Sequence, residues 1–557
     1  MGCREWFLKI PAVIENVLIR IAAPVTAFFP LSVSLFLFFS GIGLLSALGE
    51  DIRLVIYTLF HALLLTYVVM LAVFAAGHRW RRIILGFVIL ISLPFFAGDV
   101  FAFTLLGRPI GANEVAVIMG SNTEEAASFF KTYSVVKPLL FSLCAVALIV
   151  CVYFLMRPLL KYIFRSGKVK AVLGLLIFAA LFLGIYFSVK YPKIWGSTSS
   201  IEKIIYFLSV EQADLSETAI LPRISYLWDE SPDNIVLIIG ESFSRSHSSL
   251  YGYRLPTNPR LQRLAERGEL FVFTDVIAAG VPTIRSFKRM MSSYEGDPDD
   301  DWRSQVFLPD VFKFGFYRTL WVSNQSKLGF YDNVVTSFAR LFDYMVFTSD
   351  TGEDAYDNGH GLKYDGALLP LLSSVLEGNS AKQSFYLVHL LGSHFAFSER
   401  YPAEWSRFKA PDYPGADAAT ASAMAAYDNS VYYNDFVTDS IIGLFRDKNA
   451  AVIYLSDHAL NYGNEGFYNG DSSLVEIPFM IYLSPVYREK YPQMEARIVS
   501  ALGKPFMTGD LLYTAMDLAG LLFTVNDDVA EHSLLSPDRK PKKRIPDING
   551  RNFDYDK

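Results

Sequence analysis

The sequence predicts two parts: an α-helical membrane domain of five spans, then a large α/β domain on a mostly parallel sheet. Three observations predict this. The 557 residues are 52% hydrophobic and only 19% charged, too apolar for a soluble chain of this length. Five apolar runs of about 19–24 residues, each able to cross a hydrocarbon layer of about 30 Å as helix, precede residue 190. From residue 234 onward, short β-branched or aromatic runs alternate with helical stretches, as in a succession of strand–helix–strand units.

The apolar runs lie at 26–48, 54–76, 83–106, 138–156 and 171–189. Their connectors set the expected orientation. Arg4, Lys9 and Arg20 precede the first run, Arg79, Arg81 and Arg82 follow the second, and Arg157, Lys161, Arg165, Lys168 and Lys170 follow the fourth. The connectors at 49–53 and 107–137 carry few bases. Basic loops stay in the cytoplasm, so the N-terminus is expected there and everything after residue 190 outside it. No cleavable signal peptide is expected, because the first run is long and no small-residue cleavage site follows it. Residues 107–137, with Asn113, Glu114, Asn122, Glu124 and Glu125 before Phe129 and Phe130, fit a helix lying on the outer membrane face or a plain solvated loop equally well.

Charge and cysteine content exclude several classes. The formal net charge of −6 gives no basic footprint for nucleic acid. Cys3, Cys144 and Cys151 are the three cysteines, so the part after residue 190 can hold neither a disulfide nor a Cys-ligated zinc.

In the second part, each expected strand ends in polar residues. Ile235 to Ile239 runs into Gly240-Glu241-Ser242, and Phe271 to Phe273 leads through Ala279-Gly280 to Thr283. Tyr317 to Val322 runs into Ser323-Asn324-Gln325, Phe385 to Val388 into His389 and Gly392-Ser393-His394, and Ala451 to Leu455 into Ser456-Asp457-His458. Helices are expected at 258–267, 303–315, 364–377 and 418–447. Ligands bind at the carboxyl ends of parallel strands, which is where these side chains collect.

Glu241, Asp457, His458 and a hydroxyl make an oxygen and nitrogen donor set suited to Zn²⁺ or Mn²⁺. A metal-bound threonine hydroxyl would be acidified into a nucleophile, allowing covalent catalysis at phosphorus. Singly, each residue has a plainer reading: Glu241 as a helix cap, Thr283 as a turn residue, His394 as a structural histidine, Lys327 as a surface charge. The set carries the case.

At these residues the sequence resembles the membrane-anchored phosphoethanolamine transferases of the alkaline-phosphatase/sulfatase superfamily. The matching segments are Asn234 to Ser242, Tyr251-Gly252-Tyr253, Pro256 to Pro259, Thr283 with Ser286 and Met290 to Ser292. Further on come His389 to His394, Arg400-Tyr401-Pro402, Tyr427-Asp428-Asn429 with Asp435, and Leu455 to His458, with Asn122-Thr123-Glu124 in the long outer loop. The resemblance implies a five-span domain over 1–190 with 107–137 as a periplasmic membrane-surface loop, a linker over 191–232, and a periplasmic catalytic domain over 233–557 folded as an α/β sandwich.

It implies Glu241, Asp457 and His458 as zinc ligands, with Thr283 as nucleophile and fourth ligand. His394 is implied near the metal as a catalytic or donor-phosphate contact, or as part of a second zinc site. Asn324, Lys327 and Asn469 fall where substrate contacts are expected. The implied reaction moves phosphoethanolamine from phosphatidylethanolamine to an envelope glycan, lipid A or lipopolysaccharide core, at the bacterial inner membrane. The chain departs from the family pattern in lacking cysteines in this domain, in having Ala459-Leu460 after Asp457-His458, and in having Asn469 where a histidine is expected. A phosphoglycerol transferase of the lipoteichoic-acid-synthase type and an inactive membrane scaffold are the alternative readings. No Cys/Ser-x-Pro-x-Arg motif of a sulfatase nucleophile lies near Thr283.

Overall fold

The structure, a computed structural model, describes residues 3–47, 52–106, 136–164, 166–190, 223–297, 300–325, 334–350, 364–460, 472–523, 528–548 and 551–557. Lys327, Asn469, the loop through residue 135 and residues 191–222 lie outside these. The chain divides into two compact units, one of the N-terminal helices and one of the sheet-bearing part.

The first unit contains α1 (Cys3–Ala27), α2 (Phe29–Ala47), α3 (Ile52–Ala75), α4 (His78–Leu106), α5 (Val136–Ile163) and α6 (Gly167–Lys190). The apolar runs all fall on helices. An additional helix, α1, mostly precedes them, and its sequence mixes apolar residues with Arg4, Glu5, Lys9, Glu15 and Arg20, so an apolar count passes it over. Segments Ala12–Ala27 and Phe29–Gly41 meet at 76°. Pro30 accounts for the break, since it has no amide to bond the Thr26 carbonyl and its ring crowds that turn.

The packing is inside out relative to a soluble bundle. Leu90 is 72% exposed, Leu155 67% and Leu148 66%, whereas Ser32, Ser40 and Thr66 are buried. Ser40 and Thr66 donate to carbonyls one turn back, Phe36 O at 2.7 Å and Ala62 O at 2.6 Å, so no donor is spent on the apolar surroundings. These are membrane helices. Among the described residues, His78–Gly98 and Val136–Pro158 are each long and apolar enough to cross, and the bent pair would make three; the stretch Ala62–Ala75 is apolar but shorter. The count of five spans thus rests on the sequence.

The second unit is built on a seven-stranded sheet: β1 (Asn234–Gly240), β2 (Leu270–Phe273), β4 (Arg318–Ser323), β5 (Tyr344–Phe347), β6 (Ser384–His389), β7 (Ala450–Ser456) and β8 (Phe479–Leu483), with a short strand β3 (Gly280–Val281) outside it. The order is β2-β8-β7-β1-β6-β4-β5. Pairings β7–β1, β1–β6, β6–β4 and β4–β5 are parallel, while β8 runs antiparallel to both its neighbours, so the sheet is mixed. A fully buried strand reads as a continuous apolar run whatever its direction, so sequence pattern does not reveal the reversal at β8.

Helices cover both faces. Ile235, Leu237 and Ile239 of β1 share one core with Phe287 and Met290 of α8 (Thr283–Met290). Val236 and Ile238 share the other with Val431, Val437 and Ile441 of α11 (Ala418–Phe445) and Leu368 and Leu372 of α10 (Leu368–Gly378). Leu261 and Leu264 of α7 (Pro259–Glu266) join the second core, and Leu308, Val311 and Phe312 of α9 (Leu308–Phe314) the first. The parallel register pairs Ile239 with His389 and with Leu455, and Gly240 with Ser456, bringing the polar ends of β1, β6 and β7 to one edge.

Candidate metal centre

Glu241 and Asp457 follow β1 and β7 directly, so they leave the sheet side by side. The Asp457 amide donates to Gly240 O at 3.0 Å. Ser242 takes a left-handed backbone, φ 56°, which turns the chain sharply after Glu241 and lets the Ser242 amide donate to Asp457 Oδ1 at 3.1 Å. The His458 amide donates to the same oxygen at 2.7 Å. Asp457 Oδ2 is buried and has no hydrogen-bond partner among the described residues.

His458 Nδ1 lies 3.0 Å from Ala459 O, and donation there leaves the Nε2 lone pair facing the cluster. Nε2 stands 3.4 Å from Glu241 Oε1 and 3.5 Å from Asp457 Oδ2. Thr283, opening α8, places Oγ1 3.3 Å from Glu241 Oε2 and 3.4 Å from His458 Nε2. Ser286, one turn on, donates to Asp457 O at 2.6 Å and pins the helix to the end of β7.

The electrostatics call for a cation. Glu241 and Asp457 are both buried, and burial together with the Asp457 charge pushes the Glu241 carboxyl well above its ordinary range. Ligand atoms of Glu241, Asp457 and His458 all lie within 4.8 Å of one another. Two carboxylates, one imidazole and one hydroxyl, with an orphaned carboxylate oxygen among them, fit a four-coordinate zinc ion.

His394 stands near enough for Asp457 and His458 to act on its ring. Burial, then the Arg400 charge, push it down to about 3, so it is neutral. Asn324 follows β4 directly, where its amide donates to Asp365 Oδ1 at 2.8 Å and its oxygen accepts from Thr348 Oγ1 at 2.5 Å. The cluster therefore contains Glu241, Thr283, Asp457 and His458, with His394 close by and Asn324 engaged elsewhere.

One residue that shapes the site escaped the sequence reading, and a second was named there only as part of a motif, without a role. Asp365, buried, accepts from Leu391 N and Gly392 N, both at 2.8 Å. It moulds the loop after β6, whose Ser393 amide donates to Glu241 O at 2.9 Å. A lone aspartate ahead of a helical pattern gives no signal of this. Asp428 is the second: it accepts from Tyr253 at 2.7 Å and Tyr413 at 2.5 Å, and its other oxygen meets His247 Nδ1 at 2.6 Å. Beside it, the Tyr427 hydroxyl donates to Ser242 O at 2.7 Å and accepts from Ser244 N at 2.9 Å. Asp435 caps the first turn of α7 through the Arg260 and Leu261 amides at 3.0 and 2.9 Å. The tyrosine and Asp-Asn motifs thus brace the loop that carries Glu241.

The pattern of the sulfatase family matches residues 233–521, and the chain belongs to that family. Among its relatives, it is similar to phosphoethanolamine transferase EptC of Escherichia coli, with 26% identity over 478 residues, 79% of this chain and 80% of that one. The crystal structure of the C-terminal periplasmic domain of E. coli EptC in complex with Zn aligns with a TM-score of 0.55 and 26% identity, covering 61% of this chain and 97% of that one. The integral membrane protein lipooligosaccharide phosphoethanolamine transferase A of Neisseria meningitidis shares the fold, with a TM-score of 0.63 at 18% identity over 93% of this chain and 99% of that one.

Proposed function

We propose that this chain transfers phosphoethanolamine from phosphatidylethanolamine to an envelope glycan, lipid A or lipopolysaccharide core, with its catalytic part on the periplasmic side of the inner membrane. The observation that carries this is the meeting of Thr283 Oγ1 with Glu241 and His458 beside the unpartnered Asp457 Oδ2, in a chain whose relatives are phosphoethanolamine transferases.

Glu241, Thr283, Asp457 and His458 would hold one zinc ion, which when bound would acidify the threonine hydroxyl and offset negative charge on the phosphoryl oxygens. Thr283 Oγ1 attacks the donor phosphorus, the bond to the diacylglycerol oxygen breaks, and diacylglycerol leaves with the proton. An acceptor hydroxyl or phosphate then displaces Thr283 from the phosphothreonine adduct. Neutral His394 offers a ring N–H to the donor phosphate, and Lys327 and Asn469 supply further substrate contacts. The spans hold the chain in the membrane that contains the lipid donor, raising its effective concentration.

The test is peptide mass spectrometry on full-length protein incubated with phosphatidylethanolamine and zinc but no acceptor. A phosphoethanolamine adduct on the Thr283 peptide, missing in Thr283→Ala, is expected. A phosphoglycerol adduct formed only from phosphatidylglycerol would replace this reading with the lipoteichoic-acid-synthase type. No adduct from either lipid, in folded and zinc-loaded protein, would favour the inactive scaffold.

A further inference from the structure

His389 ends β6 and is 1% exposed, yet neither of its ring nitrogens has a hydrogen-bond partner among the described residues. Its ring packs on Phe287 of α8, with centroids 5.1 Å apart, and on Trp321 of β4, at 5.7 Å. A buried imidazole with both nitrogens unpaired is costly, and an apolar side chain would suit these aromatic neighbours better. The histidine needs a reason to be there.

The sheet register supplies one. His389 sits beside Ile239, which sits beside Leu455, so the three share a level and a face. Ile239, Leu455 and Phe287 all belong to the core layer covered by α8. Residues two apart on a strand share a face, so Glu241 and Asp457 lie one step above His389 on that side. There Asp457 Oδ2 is likewise buried without a hydrogen-bond partner among the described residues. The Asp457 charge also supports the His389 ring proton against burial, which takes the ring down to about 4.

We propose that His389 is a positioning residue for the metal centre: its ring N–H, through one buried water, holds Asp457 Oδ2 in place as a metal ligand. A neutral imidazole provides that donor without adding charge beneath the site. Outer partners of this kind fix ligand orientation, and their loss typically costs about 10- to 100-fold in metal affinity. The inference rests on the metal reading of the Glu241, Asp457 and His458 cluster.

The test uses full-length protein in detergent. Zinc affinity is measured by chelator competition, and thermal unfolding is followed without and with zinc, for the wild type, His389→Leu and His389→Gln. The leucine variant should bind zinc about 10- to 100-fold more weakly. Its metal-free form should unfold no lower than the wild type, because the unpaired buried group is gone. The glutamine variant, which keeps an N–H donor, should recover most of the affinity. A leucine variant with wild-type zinc affinity overturns the proposal. So does one whose metal-free form is destabilised while its zinc affinity holds, since His389 would then be a packing residue. Wild-type protein that binds no zinc overturns the metal reading itself, and it does so without reference to any variant.

Discussion

Gly392 is pressed against Glu241 so closely that a β-carbon on it would stand 2.6 Å from the Glu241 amide nitrogen and 2.8 Å from its carbonyl oxygen. Its φ of 57° is a conformation that side chains rarely accept. The loop after β6 is therefore moulded on the backbone of Glu241, and only glycine satisfies both demands. Gly392→Ala should lower stability by about 2–3 kcal/mol and strip most of the bound zinc. Thermal unfolding and metal content of the purified variant check this, and wild-type values for both would refute it.

Asp365 holds the same loop through two hydrogen bonds, from Leu391 N and Gly392 N, and accepts a third from Asn324 Nδ2 after β4. Asp365→Ala leaves the buried Leu391 and Gly392 amides without this acceptor and should cost about 2–3 kcal/mol. Zinc affinity should fall along with stability, because Gly392 braces Glu241. Chemical denaturation and zinc titration on one preparation would show whether the two losses travel together; an unchanged denaturation midpoint would count against the clamp.

Thr283 occupies the first turn of α8 and is half-buried, so trimming it leaves little behind. Thr283→Ala should change stability by less than about 0.5 kcal/mol while abolishing the lipid-derived adduct. Thr283→Ser should keep forming it, since the hydroxyl is retained. An adduct that survives in the alanine variant would assign the nucleophile to another residue.

Asp310, in the first turn of α9, is buried with one carboxylate oxygen unpartnered, and burial pushes its carboxyl up to about 6 despite Lys313. The folded chain therefore holds this proton more tightly than the unfolded one. That contribution is complete below the ordinary carboxyl value and is lost as pH rises through about 6. Asp310→Asn should match the wild type near pH 4 and exceed it by about 1–2 kcal/mol at pH 8. Unfolding measured at both pH values decides it, and a stability difference that does not grow with pH would be the wrong outcome.

In the membrane unit, a β-carbon on Gly174 of α6 would fall 1.9 Å from the Leu18 carbonyl oxygen of α1. The two helices approach through the missing side chain, as small residues allow in membranes. Gly174→Leu should force them apart and lower the unfolding temperature in detergent by several degrees, about what 1–3 kcal/mol of overpacking produces. Equal melting of variant and wild type would show that α1 is not seated there.

How much was legible in sequence differs between the ligands and their supports. Glu241, Asp457 and His458 each follow a short, largely apolar strand, and a polar cluster directly after a buried run marks a strand's carboxyl end without help from elsewhere. The five apolar runs and the absence of cysteine after Cys151 are likewise properties of composition. The membrane helices, the strand–helix succession and the place of Glu241, Asp457 and His458 at strand ends were thus legible without the fold.

The tertiary structure decided what depends on contacts between distant segments. Thr283 is 42 residues from Glu241 and 175 from His458, and it reaches both because the parallel register aligns β1 with β7 while Ser286 pins α8 to the end of β7. The reversal at β8, the clamp of Asp365 on the loop after β6 and the fit of Gly392 against Glu241 depend on pairings through space. Such pairings leave no periodic mark on the residues that make them, because each is fixed by the register of a partner far along the chain.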